Sequence, residues 1–231
     1  MLNSSLVQEG LKKSGDWKYE TSAVRKSGIK FGGIKYMSFH IVADSCCELT
    51  ADMKKRGNIE IAPLTLEVGG ESILDDETFD QKYFLKRVAE CPECPKSACP
   101  SPDYFRKSFL NGAERCYAVT LSAQLSGSYN SAVLGANLAQ EENEDLKIHV
   151  FNSRSASIGE TLIVKKIVEC EEAGMSFERV VETVELYIST QHTYFVLENL
   201  ETLRKNGRLS KTKALVASAL KIKPVMRATS E

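Results

Sequence analysis

No run of about eighteen apolar residues occurs in this chain, so the sequence offers no helix able to cross a bilayer. Positive charge is not in excess either: 30 Lys and Arg stand against 31 Asp and Glu, a net charge of -1, without long blocks of one sign. That argues against a nucleic-acid partner, which calls for a basic face. Histidine is scarce, with His40, His149 and His192 scattered along the chain. There is no Walker-type phosphate loop and no Gly-x-Ser-x-Gly elbow. A second Cys-x-x-Cys is missing beside Cys91-Pro-Glu-Cys94, so even with Cys99 as a third donor the four ligands of a structural zinc site are not assembled. The plainer reading is a surface loop that holds cysteines, and no metal is expected.

What is present is a chain of 231 residues, 42% hydrophobic, long enough to bury a core in one large or two small domains. Its seven cysteines, an odd number without a secretory leader, read as reduced thiols of a cytoplasmic protein. Residues 1–36 mix Ser, Lys, Gly and Glu with little periodicity and are expected to be a disordered extension or an over-long start. From Phe39 short apolar runs alternate with helical segments. Phe39–Ala43, Ile59–Leu66, Cys116–Leu121, Lys147–Phe151 and Thr193–Leu197 read as strands, and Lys221–Met226 as an edge strand, given Pro224. Between them, helices are expected through Leu49 to Lys55, after Ser101-Pro102, from near Tyr129, over Leu162–Cys170 with a stop at Ala173-Gly174, and after Ser176. A short helix closing at Asn206-Gly207 and a segment capped by Ser210 follow. Strands alternating with helices argue for a parallel sheet covered on both faces.

In such a sheet ligands bind outside the carboxyl ends of the strands. The polar loops at those ends are Asp44-Ser45, Ser122 through Ser128, and Asn152-Ser153-Arg154-Ser155, with Ser97–Ser101 preceding a helix nearby. Ser126-Gly127-Ser128 opens a helix, where unpaired N–H groups and partial positive charge suit a carboxylate or phosphate. The same residues also fit an ordinary cap, and spacing leaves both readings open. A serine nucleophile at Ser126, or a thiol one at Cys99, would need a general base within about 3 Å. At Asn206-Gly207-Arg208, Arg208 projects from a tight loop toward an anion or a partner, or else the loop is plain punctuation between helices.

Taken in order, these loops resemble the DegV family. Val42-Ala-Asp44-Ser45 matches its strand ending in Asp-Ser, and Ser97-Ala-Cys-Pro-Ser101 its Thr-Ser-Gln-Pro-Ser. Ser122-Ala-Gln-Leu-Ser-Gly-Ser-Tyr129 matches Ser-x-x-Leu-Ser-Gly-Thr-Tyr, and Asn152 through Gly159 resembles Asp-Ser-x-x-x-Ser-x-Gly. Leu200–Leu209 and Ile222-Lys-Pro224 complete the set. The resemblance implies a two-domain α/β protein: a three-layer α/β/α domain with a parallel sheet at 37–155 and a second, C-terminally incomplete α/β domain at 156–231. A long-chain fatty acid would lie in a tunnel between them. Its carboxylate would be held by Ser97, Ser126 and Gly127, supported by Asp44, Ser45, Ser122, Ser128, Asn152 and Ser153. Arg208 would meet an ATP-dependent fatty acid kinase that makes acyl phosphate for phospholipid synthesis. The chain would then be a carrier without catalytic residues or cofactor, touching a membrane surface at most transiently. Asn152 stands where the family has aspartate, Ala98-Cys99 where it has Ser-Gln, and a late carboxylate-binding histidine has no counterpart. The alternatives are a serine- or cysteine-dependent acyl hydrolase or transferase and a truncated remnant that binds nothing.

Overall fold

The computed structural model describes residues 38–197, 205 and 225–228, all within the compact unit Met37–Glu231. The expectations for residues 1–36, for the helix closing at Asn206-Gly207, for Arg208, for the segment after Ser210 and for Pro224 lie outside the described residues.

The architecture is mixed α/β. Four parallel strands, β1 (Phe39–Asp44), β2 (Ile59–Ala62), β6 (Arg115–Thr120) and β7 (Lys147–Asn152), form a sheet in the order β2-β1-β6-β7. Alternating side chains of β1, β6 and β7 feed two cores, as a pleated strand requires. Ile41, Ala43, Tyr117, Val119 and Phe151 face helices α5 (Ile158–Glu172) and α6 (Phe177–Thr190), which contribute Ile163, Ile167, Val180, Val184 and Ile188. Val42, Cys116 and Ala118 face α3 (Pro102–Phe109) and α4 (Ser128–Glu142), which contribute Phe105, Phe109, Ala132, Ala136 and Ala139. Thus α5 and α6, which lie C-terminal to residue 155, form the layer that covers one face of the sheet.

The buried face of α4 is built from small residues at helical spacing: Ser128, Ser131, Ala132, Gly135, Ala136 and Ala139. This lets α3 approach closely. A methyl group at Gly135 would stand 2.6 Å from the Pro102 carbonyl oxygen and 2.7 Å from Phe105 Cβ. The helix ends follow local chemistry. Ser101 caps α3 by accepting from Tyr104 N–H, Ser176 caps α6 by accepting from Arg179 N–H, and Gly174 follows α5 with φ of +73°.

The expected strand Ile59–Leu66 is two strands. Pro63 has no N–H to give a ladder, and the chain leaves the parallel sheet there. It continues as β3 (Thr65–Val68), which pairs antiparallel with β4 (Glu71–Leu74) and β5 (Lys96–Ala98) in a second sheet. α1 (Ala51–Lys54) links β1 to β2, and α2 (Gln81–Glu90) links β4 to β5. The Cys91–Cys94 pair begins at the C-cap of α2 and lies in the loop before β5. β8 (Tyr194–Val196) pairs antiparallel with β9 (Val225–Arg227). Among the described residues no helix is long and apolar enough to cross a membrane.

Candidate functional site

Strands β1, β6 and β7 run in one direction and end in Asp44, Thr120 and Asn152, so their three following loops meet at one edge. Hydrogen bonds bind these loops into one body. Asp44, fully buried, accepts from Leu121 N–H at 2.9 Å and from the Ser128 hydroxyl at 2.7 Å on Oδ2, and from Cys46 N–H at 3.2 Å on Oδ1. The end of β1 therefore holds both ends of the β6–α4 loop. Asn152 Oδ1 accepts from Ala123 N–H at 3.1 Å and from Arg154 N–H at 3.2 Å, which ties the β7 loop to the same segment. Ser122 N–H donates to the Ser155 carbonyl at 2.8 Å, and Ser122 Oγ accepts from Gln124 N–H.

At the head of α4 the N-cap is Gly127, which supplies no side-chain acceptor to the first turn. Ser126 Oγ accepts from Ser128 N–H at 3.2 Å, a bond that leaves its own O–H proton free to donate. Gly127 meets the β5–α3 segment: a methyl group there would be only 3.4 Å from Cys99 Sγ. Ser131, one turn into α4, donates its hydroxyl to the Pro100 carbonyl. Cys99 and Pro100 thus lie against the start of α4. Ser97, two residues before Cys99, stands exposed on β5 opposite Leu66.

The remaining residues singled out in sequence are engaged as follows. Ser45 donates to Asp75 at 2.7 Å and accepts from Leu64 N–H at 3.1 Å, so it fastens the β2–β3 link. Ser153 closes its own turn, donating to the Ser155 carbonyl and accepting from Ser155 N–H. All three histidines are engaged away from Ser126 and Cys99. His40 pairs with Glu60 at 3.2 Å, His149 with Glu185 at 3.1 Å, and His192 with Arg227 at 3.1 Å.

One group escaped the sequence reading. Glu160, in the first turn of α5, is completely buried, and its carboxyl oxygens lack hydrogen-bond partners of ordinary geometry among the described residues. It forms a cluster with Asp44 and Cys46 whose donor atoms lie within 4.8 Å of one another. Burial, and then the neighbouring Asp44 charge, push the Glu160 carboxyl up to about 10. Burial also raises Asp44, against the pull of its three hydrogen bonds, and raises the Cys46 thiol far above its usual range. An acid in the first turn of a helix reads in sequence as an ordinary dipole partner. Only the packing shows it turned inward.

Known proteins resemble this one over the same region. A family model described as "Uncharacterised protein, DegV family" matches residues 38–231. A DegV domain-containing protein of Streptococcus pneumoniae is 37% identical over 195 residues, which cover 84% of this chain and 69% of the relative. A crystal structure of a DegV family protein from Ruminococcus gnavus, refined with vaccenic acid, is 54% identical with a TM-score of 0.79. The B3 protein of Streptococcus pneumoniae fatty acid kinase, loaded with linoleic acid, is 36% identical with a TM-score of 0.75. Each of these two structures is likewise matched over 84% of this chain and 69% of its own. On this evidence the chain belongs to the DegV family.

Proposed function

We propose that this chain binds a long-chain fatty acid, holds its carboxylate at the head of α4, and presents it to an ATP-dependent kinase that makes the acyl phosphate. The observation that carries this reading is the glycine N-cap of α4, set at the carboxyl edge of the sheet beside Ser126. The Tyr129 and Asn130 N–H groups, to which the Gly127 cap offers no side-chain acceptor, the Ser126 hydroxyl and the helix N-terminus together complement a carboxylate. Fatty acids in the Ruminococcus gnavus and Streptococcus pneumoniae structures support the choice of ligand. So do Leu125, Ile158 and Leu162, apolar yet exposed around the same edge, because each methylene taken from water contributes about 0.8 kcal/mol.

The chain acts as a carrier. Its Ser126 and Cys99 lack a histidine partner among the described residues, so the chemistry is assigned to the kinase. In this reading the protein works in the cytoplasm without a cofactor, Ser97 and Ser126 donate to the carboxylate, and Arg208 meets the kinase. Protein purified from a bacterial host, denatured and extracted, is expected to release a stoichiometric long-chain fatty acid by mass spectrometry. S126A is expected to bind about 10- to 100-fold more weakly, the loss of one hydrogen bond to a charged group. Folded protein that neither carries a fatty acid nor takes one up would refute the carrier reading. A loaded carrier whose bound fatty acid no fatty acid kinase converts to acyl phosphate in the presence of ATP would refute the presentation step alone.

A further inference from the structure

We propose that Asp44 and Glu160 share a single proton carried by Glu160, so that the floor of the head-group loop holds one negative charge and not two. The bearing on the head group rests on the fatty-acid reading above; the shared proton does not.

The argument starts from position. Asp44 ends β1 and Glu160 lies in the first turn of α5, and the two carboxyls are both completely buried and within 4.8 Å of each other. Neither has a cationic partner among the described residues. Asp75 and Cys47 act on Cys46, the third member of the cluster, and Glu48 acts on Cys47; all are acids or thiols. Two buried carboxylates at this range cannot both ionise without a counter-charge. The hydrogen bonds decide which one stays charged. Asp44 accepts three of them, from Leu121, Ser128 and Cys46, as an anion should. Glu160 accepts none of ordinary geometry. A proton on Glu160, directed at Asp44, removes the second charge and gives the buried acid its one available acceptor.

The consequence lies one bond away. Asp44 holds the Ser128 hydroxyl and the Leu121 amide, the two ends of the loop that carries Ser126 and Gly127. A second negative charge there would repel an incoming carboxylate and pull the loop toward whatever cation it could find. Glu160 is therefore a positioning residue that acts through Asp44.

The test joins infrared spectroscopy of the delipidated full chain with oleic acid titrations of wild type and E160Q. The wild-type chain at neutral pH is expected to show the carbonyl stretch of a protonated carboxylic acid, absent from E160Q. Its affinity for oleic acid is expected to fall roughly tenfold as pH rises through about 10, where the second charge appears. E160Q, permanently neutral, is expected to show no such fall. Should E160Q not fold, titration of the wild-type band decides, since it must persist at neutral pH and vanish near 10. Absence of the band, equal losses in both proteins, or a stoichiometric metal that E160Q loses would each overturn the proposal. A band that behaves as expected in a chain that takes up no oleic acid would support the shared proton and refute the carrier reading alone.

Discussion

Replacing Gly135 by alanine sets two effects of known size against each other. In an isolated helix the change is favourable by about 0.8–1 kcal/mol, because glycine loses more backbone entropy than alanine. In α4 the new methyl group would face α3 at 2.6 Å from the Pro102 carbonyl oxygen, 2.7 Å from Phe105 Cβ and 3.0 Å from Arg106 N. Ordinary contact begins at 3.4 Å, so the shortest approach is about 0.8 Å too close. The opposing atoms are main chain and a Cβ, which no rotamer change can withdraw. Relief requires moving one helix against the other, at roughly 1–3 kcal/mol for overpacking a well-packed core. A 0.8 Å overlap with main chain puts the cost in the upper half of that range, about 2–3 kcal/mol, so the net expectation is a loss of about 1–2 kcal/mol, read as a lower urea midpoint at unchanged slope. A displaced α3 would also carry Ser101, Pro100 and Cys99 away from Gly127, so the bound fatty-acid content should fall with stability. A G135A protein as stable as wild type, or more so, would show that helix propensity outweighs the contact and that the α3–α4 spacing is not set by this glycine.

Three further outcomes follow from buried charge and from the loop bonds. Glu160 has a folded value of about 10 against an ordinary 4.5, so the native state keeps a proton that the unfolded chain releases. Its contribution to stability is therefore full below pH 4.5 and is lost as pH rises through about 10, a slope that E160Q should flatten in denaturation midpoints across that window. R115A should cost about 3–5 kcal/mol in urea unfolding, because it strips Glu171, whose side chain is 3% exposed, of its guanidinium partner 3.1 Å away; a loss below about 1 kcal/mol would refute that reading. N152D should leave stability within about 0.5 kcal/mol, since an aspartate oxygen can accept from Ala123 and Arg154 N–H as Asn152 Oδ1 does. A large loss would mean that the amide group is used in some other way.

Where the sequence and the fold agree, a strong local rule was at work. Ser101-Pro102 and Ser176 are caps because a hydroxyl can accept from an N–H three residues on. Gly174 ends α5 because few other residues adopt a φ of +73°. The central strands β1 and β6 are buried on both faces, and their apolar runs stood out. The second sheet was missed for a physical reason. From Ile59 to Leu66 the apolar residues continue across Pro63, and only the missing N–H marks the break. α2 was missed too; it buries no residue.

The site was legible wherever a residue's role follows from its place on a strand end. Asp44, Ser122, Ser128 and Asn152 come together because parallel strands deliver their following loops to a common edge, which the alternation of elements already implied. Ser97 shows the limit of motif order. It lies on an antiparallel strand of another sheet, and only the packing of Cys99 and Pro100 on α4 shows how its segment reaches the edge. Glu160 shows the other limit. One turn of helix decides whether an acid at a helix start faces water or a buried aspartate, and no local pattern records that choice. Its partner across the cluster is 116 residues away in sequence, the same separation that brings Arg56 and Glu172 together at 2.6 Å on the surface. Both pairs depend on α5 lying over the β1 side of the sheet. The surface pair can be lost at little cost, whereas in the proposed arrangement the buried pair is satisfied by a shared proton. The chemistry of the site is thus set by how deeply the fold buries two acids, and not by which acids the chain contains.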